Sequence, residues 1–140
     1  MYDRILVATD GSEAAERAAD HAAELARRYD ATLHAVYVVE SRLGYDNAIV
    51  DPETVRANLR ADGEAALEGV EAAAGDRDVV TALREGVPHE ELLAYVEREG
   101  IDLVVMGATG RSAFKTVLLG STAERLARAG VAPVLLVNEE

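Results

Sequence analysis

The chain contains no cysteine, a single lysine and no long apolar run. Without cysteine there is neither a disulfide framework nor thiolate chemistry. No stretch approaches the roughly 18 consecutive apolar residues of a membrane span. The opening residues Met1-Tyr2-Asp3-Arg4-Ile5 lack the basic start and apolar run of a secretory signal and lead straight into a strand-like segment. A cytoplasmic location is the expectation from these absences. Positive charge is also scarce: 26 Asp and Glu stand against 14 Lys and Arg, a formal net charge of −12, and Lys115 is the lone lysine. Such a surface repels nucleic-acid phosphates and anionic membranes, so neither is an expected partner.

The acids are spread over several segments. They therefore read as a solvated coat suited to high internal salt, in preference to one acidic docking face. A salt-loving source, a halophilic archaeon, is the matching expectation. The melting temperature should then rise between low and multimolar KCl; a flat curve would refute it.

What is present is a globular composition. The 140 residues, 49% hydrophobic and 29% charged, suffice for one domain with a real core. Apolar runs alternate with helical patterns from end to end. Residues 5–8 form a short apolar strand that stops at Thr9-Asp10-Gly11, and Ser12 stands where a helix N-cap belongs, with Glu13 in the first turn. Ala15, Ala18, Ala19, Ala22, Leu25, Ala26 and Tyr29 recur at helical spacing as one buried stripe. Residues 32–39 read as a second strand and 40–50 as a loop. Asp51-Pro52 opens a long polar helix that runs to about Ala74. A third strand over 79–83, a helix between Pro88 and Gly100, a fourth strand over 101–106, a helix over 121–129 and a fifth strand over 134–137 complete the chain. Five strands alternating with four helices predict a single doubly wound, Rossmann-like α/β domain spanning 1–140, its parallel sheet covered on both faces.

In such sheets ligands bind beyond the carboxyl ends of the strands. One glycine-rich stretch lies there. Gly107 and Gly110 bracket a turn after the fourth strand, and Gly120-Ser121 follows at a helix start. Glycines let successive N–H groups converge on an anion, and the N–H groups of Ser121 and Thr122 add the positive end of a helix dipole. Backbone donors of this kind suit phosphate in a chain with so few cations; Arg111 and Lys115 lie within the same stretch. Turns and a helix cap explain the same glycines structurally.

The segments Ile-Leu-Val-Ala-Thr-Asp-Gly-Ser, the G-x2-G-x9-G-[S/T] pattern of Gly107, Gly110, Gly120 and Ser121, and the closing Ala-Pro-Val-Leu-Leu-Val resemble the universal stress protein family over essentially the whole chain. The resemblance implies the adenine-nucleotide alpha-hydrolase-like fold with strand order 3-2-1-4-5, and the ATP-binding branch of the family. It implies that Gly107, Gly110, Gly120, Ser121 and Thr122 hold the phosphates, with Thr109 and Arg111 lining the loop. Ala8, Thr9 and Asp10 would face ribose and adenine, Val38 would take the adenine edge through its backbone, and Met106 would pack nearby. Asp10 could instead cap the following turn, or join a magnesium ion that bridges the phosphates. The resemblance also implies a homodimer paired through Val134–Val137, which would cover an apolar sheet edge.

The other candidates are weaker. His21, His34 and His89 are scattered and read as structural or solvated, with His34 buried or edge-facing on its strand. Tyr29 and Tyr37 read as core. Tyr45 could fold over a nucleotide, and Phe114 could anchor the loop or meet a partner. No base–nucleophile pair appears. The His-x-Gly-His of adenylyl transferases and the Ser-Gly-Gly-x-Asp-Ser loop of ATP pyrophosphatases are both missing. A nucleotide-dependent regulatory module is therefore the leading reading. Slow ATP hydrolysis helped by Asp10, and a nucleotide-free chaperone-like protein, are the alternatives.

Overall fold

The computed structural model describes residues 1–40, 51–108 and 120–138. Within them the elements alternate: β1 (Arg4–Ala8), α1 (Glu13–Tyr29), β2 (Thr32–Glu40), α2 (Pro52–Ala74), β3 (Val79–Gly86), α3 (Pro88–Glu99), β4 (Leu103–Gly107), α4 (Ser121–Ala129) and β5 (Val134–Val137). The strands form one parallel sheet in the order β3-β2-β1-β4-β5. The fold class and strand order expected from the sequence are both present.

Alternation along the strands builds two cores. Ile5 and Val7 of β1 face one side with Leu33, Ala35, Tyr37 and Leu103, under α1 and α2. Leu6 and Ala8 face the other with Val36, Val104 and Met106, under α3 and α4. Ile5, Leu6 and Val7 have no exposed surface, and burying each contributes about 1.5–3 kcal/mol. The buried face of α1 is made entirely of alanine, from Ala14 to Ala26, so the helix axis can approach the sheet closely. At one point α2 approaches even closer. A Cβ on Gly63 would come within 2.6 Å of the Tyr37 ring and of Leu83 Cδ1.

The caps follow the sequence. Ser12 Oγ accepts from the Ala15 N–H at 3.1 Å, Asp51 caps α2 with Pro52 behind it, and Gly75, Gly100 and Gly130 end α2, α3 and α4. Three expectations need correction. Tyr29 is not core: it is 43% exposed and meets Tyr2 edge-to-face at 5.2 Å, because α1 has reached the end of the sheet by that turn. The third strand continues through Arg84 and Glu85, which an edge strand tolerates because no further strand among the described residues pairs with its outer flank. The fourth strand begins two residues late, because the Ile101 N–H is spent on Val96 O at the end of α3. Asp102 then becomes a clamp. Its carboxylate accepts from the N–H groups of Asp3 (2.9 Å) and Arg4 (3.2 Å), and its own N–H bonds Arg4 O, which pins the amino ends of β1 and β4.

Candidate functional site

The carboxyl edge of the sheet gathers most of the residues singled out in the sequence. Ala8 lies opposite Val36 on one side and Met106 on the other, so the three form a row across the middle of the sheet. One step further along stand Thr9 and Asp10, Val38 and Gly107.

The turn after β1 satisfies itself. The Gly11 N–H donates to Thr9 Oγ1 at 3.2 Å, the Ser12 N–H to Asp10 Oδ1 at 2.9 Å, and the Ala15 N–H to Ser12 Oγ. Gly11 adopts φ +79°, which glycine allows without strain. Asp10 thus bonds the turn that leads into α1, and within the helix the Ala15 N–H is capped by the Ser12 side chain.

That turn has a consequence for Val38. Residues of one parity in a parallel strand point N–H and C=O to the same neighbour. Val36 O accepts from the Thr9 N–H at 3.0 Å, so Val38 likewise points towards β1. If β1 continued, the Gly11 N–H would answer Val38 C=O. Gly11 instead turns back to Thr9. The backbone of half-buried Val38 therefore presents a donor and an acceptor just past the end of β1, with no backbone partner there among the described residues.

The end of β4 is held differently. The Ala108 N–H donates to Val137 O at 2.8 Å, and Ala108 O accepts from the Gly120 N–H at 2.7 Å. The two ends of the intervening segment are thus joined by one short hydrogen bond, and the start of α4 is fixed beside the end of β4. Gly120 is the N-cap of α4, extended at φ −67° and ψ 151°, and offers no side-chain cap. The leading N–H groups of Ser121 and Thr122 accordingly lack the kind of cap that α1 has. A helix start with this geometry favours a negative group.

Gly107 has a packing reason that sequence reasoning missed. A Cβ there would lie 2.8 Å from Ala14 Cβ and 3.0 Å from the Ala14 carbonyl carbon. Only a hydrogen lets the first turn of α1 rest on the end of β4. The small pair Ala14-Ala15 is the signal that could have shown it. Ala108, whose backbone ties together β4, β5 and α4, carried no signal at all, because any residue can make those bonds.

Thr109, Gly110 and Arg111 lie outside the described residues, as do Tyr45, Phe114 and Lys115. Among the described residues no group of three His, Asp or Glu side chains is placed to hold a metal ion. Nor is any helix long and apolar enough to cross a membrane. A groove of about 670 Å³ runs between α1 and α2 behind Thr9 and Gly11, but Glu16, Asp20 and Asp62 line it. Those carboxylates make it unsuitable for phosphate.

Comparison with known proteins agrees with this architecture. The family model described as Universal stress protein family matches residues 1–138. Universal stress protein MJ0531 of Methanocaldococcus jannaschii is 37% identical over 142 residues, covering 99% of this chain and 84% of the relative. The solved structure of MJ0577 from the same organism superposes with a TM-score of 0.86 at 28% identity, covering 100% of this chain and 98% of that one. A universal stress protein solved in complex with cAMP superposes with a TM-score of 0.73 at 27% identity, covering 99% and 98%. The whole-chain family match and the shared sheet order agree, and the chain belongs to the universal stress protein family.

Proposed function

We propose that this chain binds ATP as a regulatory ligand at the carboxyl edge of its sheet. The observation that carries the reading is the contrast between two helix starts on one edge. Helix α1 has a side-chain cap, Ser12 Oγ on the Ala15 N–H, and the turn before it is bonded by Thr9 and Asp10, whereas α4 begins at a glycine with no side-chain cap. Phosphate is drawn to the second and not the first. A relative solved with cAMP supports an adenine nucleotide as the class of ligand.

In this reading Gly120, Ser121 and Thr122 hold the phosphates, together with Gly107 and with Thr109, Gly110 and Arg111 of the intervening segment. Ala8, Thr9 and Asp10 face the ribose and base, and Met106 closes the floor beneath them. Adenine lies against Val38, whose N–H meets ring N1 and whose C=O meets the 6-amino group. One Asp10 oxygen already accepts from Ser12. Any part of Asp10 in holding a magnesium ion would be secondary to that of the phosphate oxygens. Occupancy at the start of α4 would change the surface of that helix and the segment before it, which is how a partner would read the bound state. The last strand, Val134–Val137, with Leu135 37% exposed, forms a sheet edge suited to pairing with a second copy.

Equilibrium dialysis at millimolar ATP tests the proposal. Wild type should retain ATP and Gly110→Val should not, because a branched side chain closes the space in which backbone N–H groups meet phosphate. Equal retention by both proteins, or none by wild type, would overturn it.

A further inference from the structure

Beneath α3 lies a buried polar pair that nucleotide binding does not use. His34 on β2 is 5% exposed and Tyr95 on α3 is 3% exposed. His34 Nδ1 and Tyr95 Oη are 2.7 Å apart, with the rings edge-to-face at 5.6 Å. Tyr95 belongs to the apolar cluster of Leu6, Val36, Leu92, Val96 and Ile101. The Arg84 guanidinium of β3 lies over the Tyr95 ring, 5.7 Å from its centre.

We propose that this pair makes the seating of α3 on the sheet depend on pH, firm while His34 is neutral and loosened when His34 takes a proton. With a neutral imidazole protonated at Nε2, one proton serves this contact: the tyrosine hydroxyl donates to Nδ1. Protonation puts a hydrogen on both sides of that contact. The tyrosine hydroxyl must then turn its own hydrogen into an apolar cluster, and a positive charge is left beneath the helix. The charged neighbours on each packed element divide. Glu99 on α3 favours the cation and Arg4 on β1 opposes it, while Arg84 on β3 places a second positive group above the tyrosine ring.

Burial is the largest influence and holds the imidazole below its ordinary value of 6.5, ahead of the opposing pull of Glu99. The same burial raises the Tyr95 phenol, so the tyrosine stays a neutral donor. The unfolded chain therefore binds the proton more readily than the folded one. The contribution of the pair is complete above pH 6.5, falls as pH drops towards the folded value, and levels off below it. Helix α4 shares the cluster through Ala123 and Leu126. If the nucleotide reading above holds, acidification would also unsettle the helix start that receives phosphate.

The test is amide hydrogen exchange of the whole chain without nucleotide, between about pH 8 and about pH 5, with His34 titrated in parallel by NMR. Because no nucleotide is present, the outcome is independent of the ATP reading. After correction for intrinsic rates, α3 amides should open more often below pH 6.5, by up to about tenfold per pH unit. The rise should begin near pH 6.5 and level off at the His34 midpoint, while α1, on the opposite face, stays unchanged. His34→Asn, which retains a bonding partner for Tyr95 without titrating, should abolish the step. The proposal is overturned if His34 titrates at its ordinary value, if α3 exchange shows no step, or if the step persists in His34→Asn. Should that variant fail to fold, a rise in wild type that levels off at the His34 midpoint supports the proposal, and one that continues well below that midpoint overturns it.

Discussion

Gly107→Val is expected to lower the stability of the protein by about 1–3 kcal/mol and to abolish ATP binding with it. The Cβ alone would lie 2.8 Å from Ala14 Cβ and 3.0 Å from the Ala14 carbonyl carbon, and 3.1 Å from the Ala15 nitrogen. Two of these three atoms are backbone of a helix held by the Ser12 cap, so no side-chain rotation relieves the overlap. Either β4 slips against β1 and β5, or the first turn of α1 lifts. Lifting α1 displaces the turn of Thr9, Asp10 and Gly11, where the ribose and base would lie. Gly69→Ala is the control. Gly69 lies inside α2, and an added Cβ meets nothing within 4 Å. Removing the backbone freedom of glycine there should stabilise the protein by about 0.5–1 kcal/mol. Thermal melts of the two variants should move in opposite directions. A Gly107→Val melt equal to wild type would refute the packing account.

GTP is expected to bind about 5- to 150-fold more weakly than ATP, corresponding to about 1–3 kcal/mol for one bidentate base contact. Val38 offers one N–H and one C=O, in that order along the strand. Adenine presents the complement: an acceptor at N1 and a donor at the 6-amino group. Guanine presents the reverse, so the N–H groups of the protein and the base would face each other, as would their two oxygens. Because these are backbone atoms, Val38→Ala should keep the preference while losing some apolar contact with the base. Competition dialysis of ATP against GTP on wild type and Val38→Ala measures both effects. Equal affinity for the two nucleotides would place the base elsewhere.

Much of the fold was legible residue by residue. The run Ile5-Leu6-Val7-Ala8 announced a strand buried on both faces, and Ser12, Asp51-Pro52 and Gly100 marked helix ends, because capping is local chemistry written within a few positions. Tyr29 misled because helical spacing says which side a residue faces and not where the sheet beneath it ends. Arg84 and Glu85 hid the length of β3 because polar residues look the same on an edge strand as in a loop. His34 was correctly read as buried or edge-facing, but its partner Tyr95 lies 61 residues away, and no local pattern joins them.

The candidate site divides in the same manner. The amino-acid sequence by itself determined the alternating elements, the glycine positions and the helix start at Ser121, since each depends on backbone freedom and hydrogen bonding over a few neighbouring residues. It also set the shortage of cations, which turns the search for a phosphate site towards backbone donors. Only the tertiary structure decided which helix start is already capped and which is not. It alone showed that Gly107 makes room for α1, and that the turn at Gly11 leaves the Val38 backbone without a partner on that side among the described residues. The physical reason is that an unanswered donor or a forbidden Cβ is defined by what stands opposite it. What stands opposite comes from another element, brought there by burial of the two apolar faces of the sheet.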